Sequence, residues 1–236
     1  MTEKDPVLDA VFFDFDGVIV DSEPLHWEAF CRVLNPAGMT IAWDDYVEKY
    51  LGFDDRGVFR EVFRHARKPL PERELAGLIE TKAQAFEELV RTKKPKPYPG
   101  AVELIRSLSG RVPVALCSGA LKRDVTPILD SLGIGKAFDV MVTADDVHAS
   151  KPDPASYLLA FERLLAAFPG RRIRVDFSVA IEDTPAGITA ARGAGIRVVA
   201  LANTYPSALL RDTVCVLESL DGITLRELGK LAALPG

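Results

Sequence analysis

Asp14 and Asp16 close the apolar run Val11-Phe12-Phe13, so two carboxylates separated by one residue end a segment that reads as buried. In a strand such residues point to the same side, and two like charges ~4 Å apart at an effective dielectric near 20 repel by roughly 4 kcal/mol. Either one carboxyl keeps a proton or a positive charge sits nearby. Taken alone, the pair also reads as the polar face of an exposed edge strand. A second acidic pair, Glu182-Asp183, follows another apolar run and precedes Thr184-Pro185-Ala186-Gly187, a helix start. By itself that pair reads as a helix cap exploiting the dipole. Together the pairs supply oxygen ligands of the kind a hard cation takes between one or two carboxylates and a phosphate. Cys117-Ser118-Gly119-Ala120 adds a hydroxyl and, at Gly119, a backbone able to approach an anion, although it also reads as a plain turn. Ser150-Lys151-Pro152-Asp153-Pro154 holds Lys151 between a strand and a helix, where its ammonium can reach the same crevice; a solvated loop lysine is the ordinary alternative.

The elements that must bring these segments together follow from the apolar pattern. Runs rich in Val, Ile and Phe over residues 10–15, 112–117, 138–142, 177–181 and 197–201 predict buried strands. Amphipathic stretches lie between most of them: Val102, Ile105 and Leu108 fall at helical spacing, as do Tyr157, Leu158, Phe161, Leu164 and Leu165. Strand alternating with helix predicts an α/β fold, a doubly wound parallel sheet whose strand ends converge on one crevice. Residues 22–94 break the alternation, with helical stretches near 22–34, 54–66 and 71–90 and no convincing strand. A helical domain over residues 22–94, inserted into a core of residues 1–21 and 95–236, is the expected organisation. Ser22-Glu23-Pro24 opens it with a capping residue and a first-turn proline, and the Pro-rich stretch from Lys94 to Gly100 closes it; both ends read as hinges.

Composition narrows the class. With 236 residues, 48% of them apolar, the chain can bury a sizeable core. Its net charge of -5 argues against a nucleic-acid partner. Four charges and no apolar stretch in residues 1–9 argue against a signal peptide, and no apolar run reaches membrane-spanning length, so a cytoplasmic location without a membrane partner is expected. Cys31, Cys117 and Cys215, without any CxxC pair, predict neither disulfides nor zinc, and each reads as a small buried apolar residue. His65 and His148 are read as surface or packing residues. The absence of a GxxxxGK[ST] segment excludes a P-loop nucleotidase.

Asp14-Phe15-Asp16-Gly17-Val18, Ser118, Lys151-Pro152 and Glu182-Asp183 with Pro185-Ala186-Gly187, in that order, resemble the haloacid dehalogenase superfamily, in particular its phosphatases and phosphomutases with a helical cap after the first strand. The resemblance covers nearly the whole chain. It implies a magnesium-dependent phosphatase acting on a small phosphorylated metabolite, a sugar phosphate or a phosphoglycolate-like acid. By that resemblance Asp14 is the nucleophile that becomes an aspartyl phosphate, and Asp16 is the general acid, then base. Asp14, Asp183 and the Asp16 main-chain carbonyl hold magnesium, Glu182 orients a ligand or metal-bound water, and Ser118, Gly119 and Lys151 hold the phosphoryl oxygens. Asp16 separates this branch from the dehalogenases proper, which lack the second aspartate and the metal.

In the same family the cap contacts the non-reacting end of the substrate. His26 and Lys82 are similar to cap residues that approach Asp16 and the phosphates in the beta-phosphoglucomutase branch. Gly52-Phe53-Asp54-Asp55-Arg56 resembles that branch's specificity loop, with Asp55 where the mutases place an arginine for the distal phosphate and Arg56 next to it. A sugar-phosphate mutase is the alternative enzyme. A receiver-like phosphoacceptor signalling module is the alternative from another class; the insert and the second aspartate argue against it. A monomer or weak homodimer is expected.

Overall fold

The computed structural model describes residues 8–51 and 53–234; residues 1–7, on which the N-terminal reading rests, and Gly52 lie outside them. The first strand, β1 (Ala10–Phe13), is apolar throughout and wholly buried because it lies between two other strands and under helices on both faces. Val11 and Phe13 enter one apolar core, Ala10 and Phe12 the other, as the twofold alternation of a strand requires.

After β1 the chain forms the two-residue strand β2 (Val20–Asp21), then the helices α1 (Glu23–Leu34), α2 (Trp43–Lys49), α3 (Asp55–His65) and α4 (Glu72–Lys93). It returns through β3 (Lys96–Pro97), antiparallel to β2 with Val20 opposite Pro97 and Asp21 opposite Lys96. The Pro-rich stretch read as one hinge thus pairs, through Lys96–Pro97, with the two residues just ahead of Ser22, while Glu23 and Pro24 already belong to α1. The four helices enclose their own core, including Phe30, Leu34, Phe59, Val62, Phe63 and Leu75. Next come α5 (Ala101–Leu108), β4 (Val114–Cys117), α6 (Lys122–Ser131), β5 (Val140–Val142), α7 (Ala155–Ala167), β6 (Ser178–Glu182), α8 (Pro185–Gly193), β7 (Arg197–Leu201), β8 (Cys215–Leu217) and α9 (Leu225–Ala232). The main sheet runs β5-β4-β1-β6-β7-β8, every pair parallel. The chain crosses from β1 to one side for β4 and later returns to the other for β6, so the crevice at the carboxyl end of β1 is the switch point where open α/β sheets bind ligands.

Several expectations are corrected in detail. β1 stops at Phe13, so Asp14 and Asp16 lie in the loop beyond it and not on one side of a strand. β4 and β5 each start two residues later than the apolar runs at 112 and 138 suggest. α2 escaped sequence reading because only Tyr46 of its seven residues is buried, leaving no apolar stripe. β8 escaped it because a three-residue, half-buried edge strand carries little pattern. Leu158 and Leu165 of α7 face outward while Tyr157 and Leu164 are fully buried. Cys117 is buried as expected, whereas Cys31 and Cys215 are only partly so. Among the described residues no helix is long and apolar enough to cross a membrane.

Candidate active site

Asp14 follows β1 directly, and its backbone N–H donates to the Ile181 carbonyl at 3.0 Å, so the ladder with β6 fixes where its side chain starts. Three residues on, Gly17 adopts φ +78°; a Cβ there would stand 1.8 Å from Asp183 Oδ2, and only glycine allows the loop to pass over that carboxylate. Glu182 ends β6 and Asp183 follows it. The helix start read from Thr184-Pro185 is real: the Thr184 hydroxyl accepts from the Gly187 N–H at 3.0 Å and caps α8.

Asp14, Glu182 and Asp183 are all buried, and each offers an oxygen within 4.8 Å of the others. The Lys151 ammonium lies 2.7 Å from Asp14 Oδ1 and 2.6 Å from Glu182 Oε1, and the Tyr157 hydroxyl donates to that same Glu182 oxygen at 2.6 Å. Burial pulls the Lys151 pKa down, but the Asp14 and Glu182 charges outweigh it and hold the ammonium protonated. Burial, helped by the Glu182 charge and opposed by Lys151, pushes Asp14 up to about 8. Burial and the charges of Asp14 and Glu182 push Asp183 well above the usual carboxylate range. Neither oxygen of Asp183 receives a hydrogen bond of regular geometry, although the Thr204 hydroxyl stands beside it. Three buried carboxylates thus share one ammonium. An orphaned, fully buried carboxylate beside a second one fits a divalent cation, which supplies the missing charge and takes oxygen ligands. Glu182 is already engaged by Lys151 and Tyr157, which leaves Asp14 and Asp183 facing the cation position.

Asp16 turns toward the helical insert. The Ser22 hydroxyl donates to its Oδ1, and His26 Nε2 stands 3.4 Å from the same oxygen. Burial raises the Asp16 pKa, but His26 and the Ser22 hydroxyl outweigh it and bring the pKa below its ordinary value. His26 stacks on Phe86 with ring centroids 4.0 Å apart, and its Nδ1 lies 2.7 Å from the ammonium of Lys82. Lys82 is entirely buried, 2.8 Å from Asp55 Oδ1, so it reaches Asp16 only through the histidine and lines no part of the cavity.

The cavity between sheet and insert encloses about 80 Å³ and is walled by Asp14, Asp16, Lys151 and Gly119 on one side and by Glu23, His26 and Asp55 among others on the other. Ser118 is buried behind it, its oxygen accepting from the Ala120 N–H at 3.0 Å. Arg56 is half exposed and lines a smaller adjoining recess that shares Asp54, Asp55 and Gly119 with the cavity. Glu23, Tyr46 and Tyr157 had no sequence signal beyond helical spacing; only the meeting of α1, α2 and α7 with the crevice reveals them.

Residues 11–201 match the family model of the haloacid dehalogenase-like hydrolases. The phosphorylated carbohydrates phosphatase of Thermotoga maritima is 34% identical over 191 residues, 80% of this chain and 82% of that protein. The validoxylamine A 7'-phosphate phosphatase of Streptomyces hygroscopicus is 29% identical over 92% of this chain and 96% of its own. CbbY from Rhodobacter sphaeroides, solved with phosphate, superposes with a TM-score of 0.83 over 94% of this chain and 99% of that one, at 23% identity, a likeness of fold.

Proposed function

Because the chain belongs to the haloacid dehalogenase-like hydrolase family, we propose that it is a magnesium-dependent phosphatase of small phosphorylated metabolites, sugar phosphates above all. The observation that carries this reading is the carboxylate of Asp14, exposed to the cavity, held 2.7 Å from the Lys151 ammonium and backed by the orphaned Asp183. The relative that acts, by its name, on phosphorylated carbohydrates supports the substrate class.

Asp14, Asp183 and the main-chain carbonyl of Asp16 would hold the magnesium ion, which when bound supplies positive charge to the phosphoryl oxygens and to both carboxylates. An Asp14 oxygen attacks phosphorus while the bond to the leaving alcohol breaks, and Asp16, which would take up a proton as the anionic phosphate comes to lie beside it, gives that proton to the alcohol. Water then attacks the aspartyl phosphate, Asp16 takes back a proton, and Asp14 and inorganic phosphate are released. Lys151 lowers the cost of bringing an anionic nucleophile to an anionic phosphate. Gly119 lets the backbone approach the phosphoryl oxygens; Ser118, whose oxygen supports the turn, would bring its hydroxyl proton to them. Glu182 positions Lys151 more directly than it positions the metal. His26 holds Asp16 toward the leaving group, and Lys82 fixes the tautomer and place of His26.

Phosphate release from a panel of phosphorylated metabolites, with magnesium and then with excess chelator, tests the reading beside Asp14→Asn. Release is expected only with the metal, and the variant should lose at least about a thousandfold while keeping its fold. An Asp14→Asn protein as active as the original removes the nucleophile from Asp14. Isomerised sugar phosphate in place of free phosphate makes the enzyme a mutase.

A further inference from the structure

Resting on the phosphatase reading of this cavity, we infer that the site selects by charge. It takes monoesters whose alcohol half is neutral or bears an amine, and turns away those with a second phosphate or a carboxylate. The two walls of the cavity differ in what they can offer such groups. On the sheet side Lys151 is committed to Asp14 and Glu182 at the reacting position. On the opposite wall, where the non-reacting half of a substrate would lie, stand the carboxylates of Glu23, Asp54 and Asp55.

Two basic side chains lie near that wall, and neither lines the cavity. The Lys82 ammonium is fully buried outside the lining, 2.8 Å from Asp55 Oδ1, 2.7 Å from His26 Nδ1 and 5.0 Å from the ring centroids of Phe30 and Phe86. It cancels the charge of Asp55 and leaves nothing over for a ligand. Arg56 is half exposed beside the adjoining recess, its Nη1 3.9 Å from Asp54 Oδ2. The remaining partners are uncharged: the Tyr46 hydroxyl donates to Glu23 Oε2 at 2.7 Å, and the Ser150 hydroxyl and Gly57 N–H donate to Asp54 at 2.6 and 2.7 Å. Burial raises the Glu23 pKa, against the lowering effects of His26 and the Tyr46 hydroxyl.

A phosphate or carboxylate carried to this wall gives up its water and meets no guanidinium or ammonium in return, whereas anion sites are built from such donors. Sugar hydroxyls do the opposite: they donate to carboxylate oxygens that still have lone pairs free. An ammonium group gains charge as well.

Initial rates of phosphate release with magnesium are to be compared on glucose 6-phosphate, glucosamine 6-phosphate, 6-phosphogluconate and fructose 1,6-bisphosphate, with p-nitrophenyl phosphate as a probe lacking a polar distal half. The kcat/KM on the two doubly anionic substrates should lie at least about tenfold below that on glucose 6-phosphate, and the amine-bearing ester should match or exceed it. Glu23→Gln and Asp54→Asn should each narrow the gap several-fold, chiefly through KM on the anionic substrates. Equal or better turnover of the anionic substrates by the original protein overturns charge selection, whatever the variants do. An unaltered gap in both folded variants overturns its assignment to these carboxylates. Hydrolysis of p-nitrophenyl phosphate without any charge preference leaves the phosphatase reading standing and removes only this inference; no release from any of the five removes both.

Discussion

Asp124 shows how much a single buried carboxyl can reveal about packing. It sits in the first turn of α6, only 3% exposed, and neither of its oxygens has a hydrogen-bond partner. Burial raises its pKa to about 6, opposed by the charges of Lys82 and His26 and aided by that of Asp55, all on helices of the insert. A carboxyl whose pKa is higher in the folded chain than in the unfolded one binds its proton more tightly when folded. Its cost is therefore absent below pH ~4 and complete above pH ~6.5, amounting to about 3 kcal/mol at most. Asp124→Asn removes the titration. The stability difference between variant and original protein should move in the variant's favour as pH rises from 5 to 7.5, by about 1–1.5 kcal/mol in urea unfolding. A difference that stays constant across that range would show that Asp124 is not buried in this way. At the candidate site the sequence was more informative: it singled out Asp14, Asp16, Lys151, Glu182 and Asp183, which the structure gathers at the carboxyl end of β1 and β6, because most of them directly follow apolar strands that end at the crevice. The part of Lys82 was not, since its partner Asp55 lies on another helix.

Elements hold the site through close contacts that tolerate no added atom. Gly187 in the first turn of α8 is one: a Cβ there would fall 2.0 Å from Glu182 Oε2. Glu182 in turn fixes Lys151 and Tyr157, so the helix start, the strand end and the lysine loop form one rigid unit. Gly187→Ala should cost about 1–3 kcal/mol through overpacking. The same change should lower phosphate release further than the stability loss explains, because it displaces the carboxylate that places the Lys151 ammonium beside Asp14. Denaturant unfolding and activity measured on the folded fraction separate the two effects; an alanine variant of unchanged stability would mean that α8 can slide away from β6. The boundaries of β7 were readable to the residue from its apolar run. Those of β4 and β5 were not, because apolar residues flanking a strand are buried too and look the same in a sequence.

At the scale of the molecule, the helical insert lies over the sheet in a closed arrangement. The Tyr205 hydroxyl donates to the Leu51 carbonyl at 3.1 Å, Ser150 to Asp54 at 2.6 Å, and Arg123 pairs with Glu80 at 2.7 Å, each bond joining insert to core. The cavity of about 80 Å³ beneath them has room for several waters. Lifting of the insert on the β2–β3 ribbon would widen the way in for a substrate, and these three bonds would oppose it. Tyr205→Phe deletes one of these bonds, worth about 1 kcal/mol, and should raise the open population about fivefold. Faster hydrogen exchange in α3, with β1 and β6 unchanged, is the expected signature; unchanged exchange throughout would mean the latch lies elsewhere. The sequence by itself determined the strand–helix alternation, the helical insert and the acidic strand ends, since burial periodicity and the chemistry of carboxylates are local properties written along the chain. Only the tertiary structure decided that Glu182 serves Lys151, that Lys82 pairs with Asp55, and that carboxylates line the wall facing Asp14. Those facts are distances between residues far apart in the chain, and they are set by how the insert packs against the sheet.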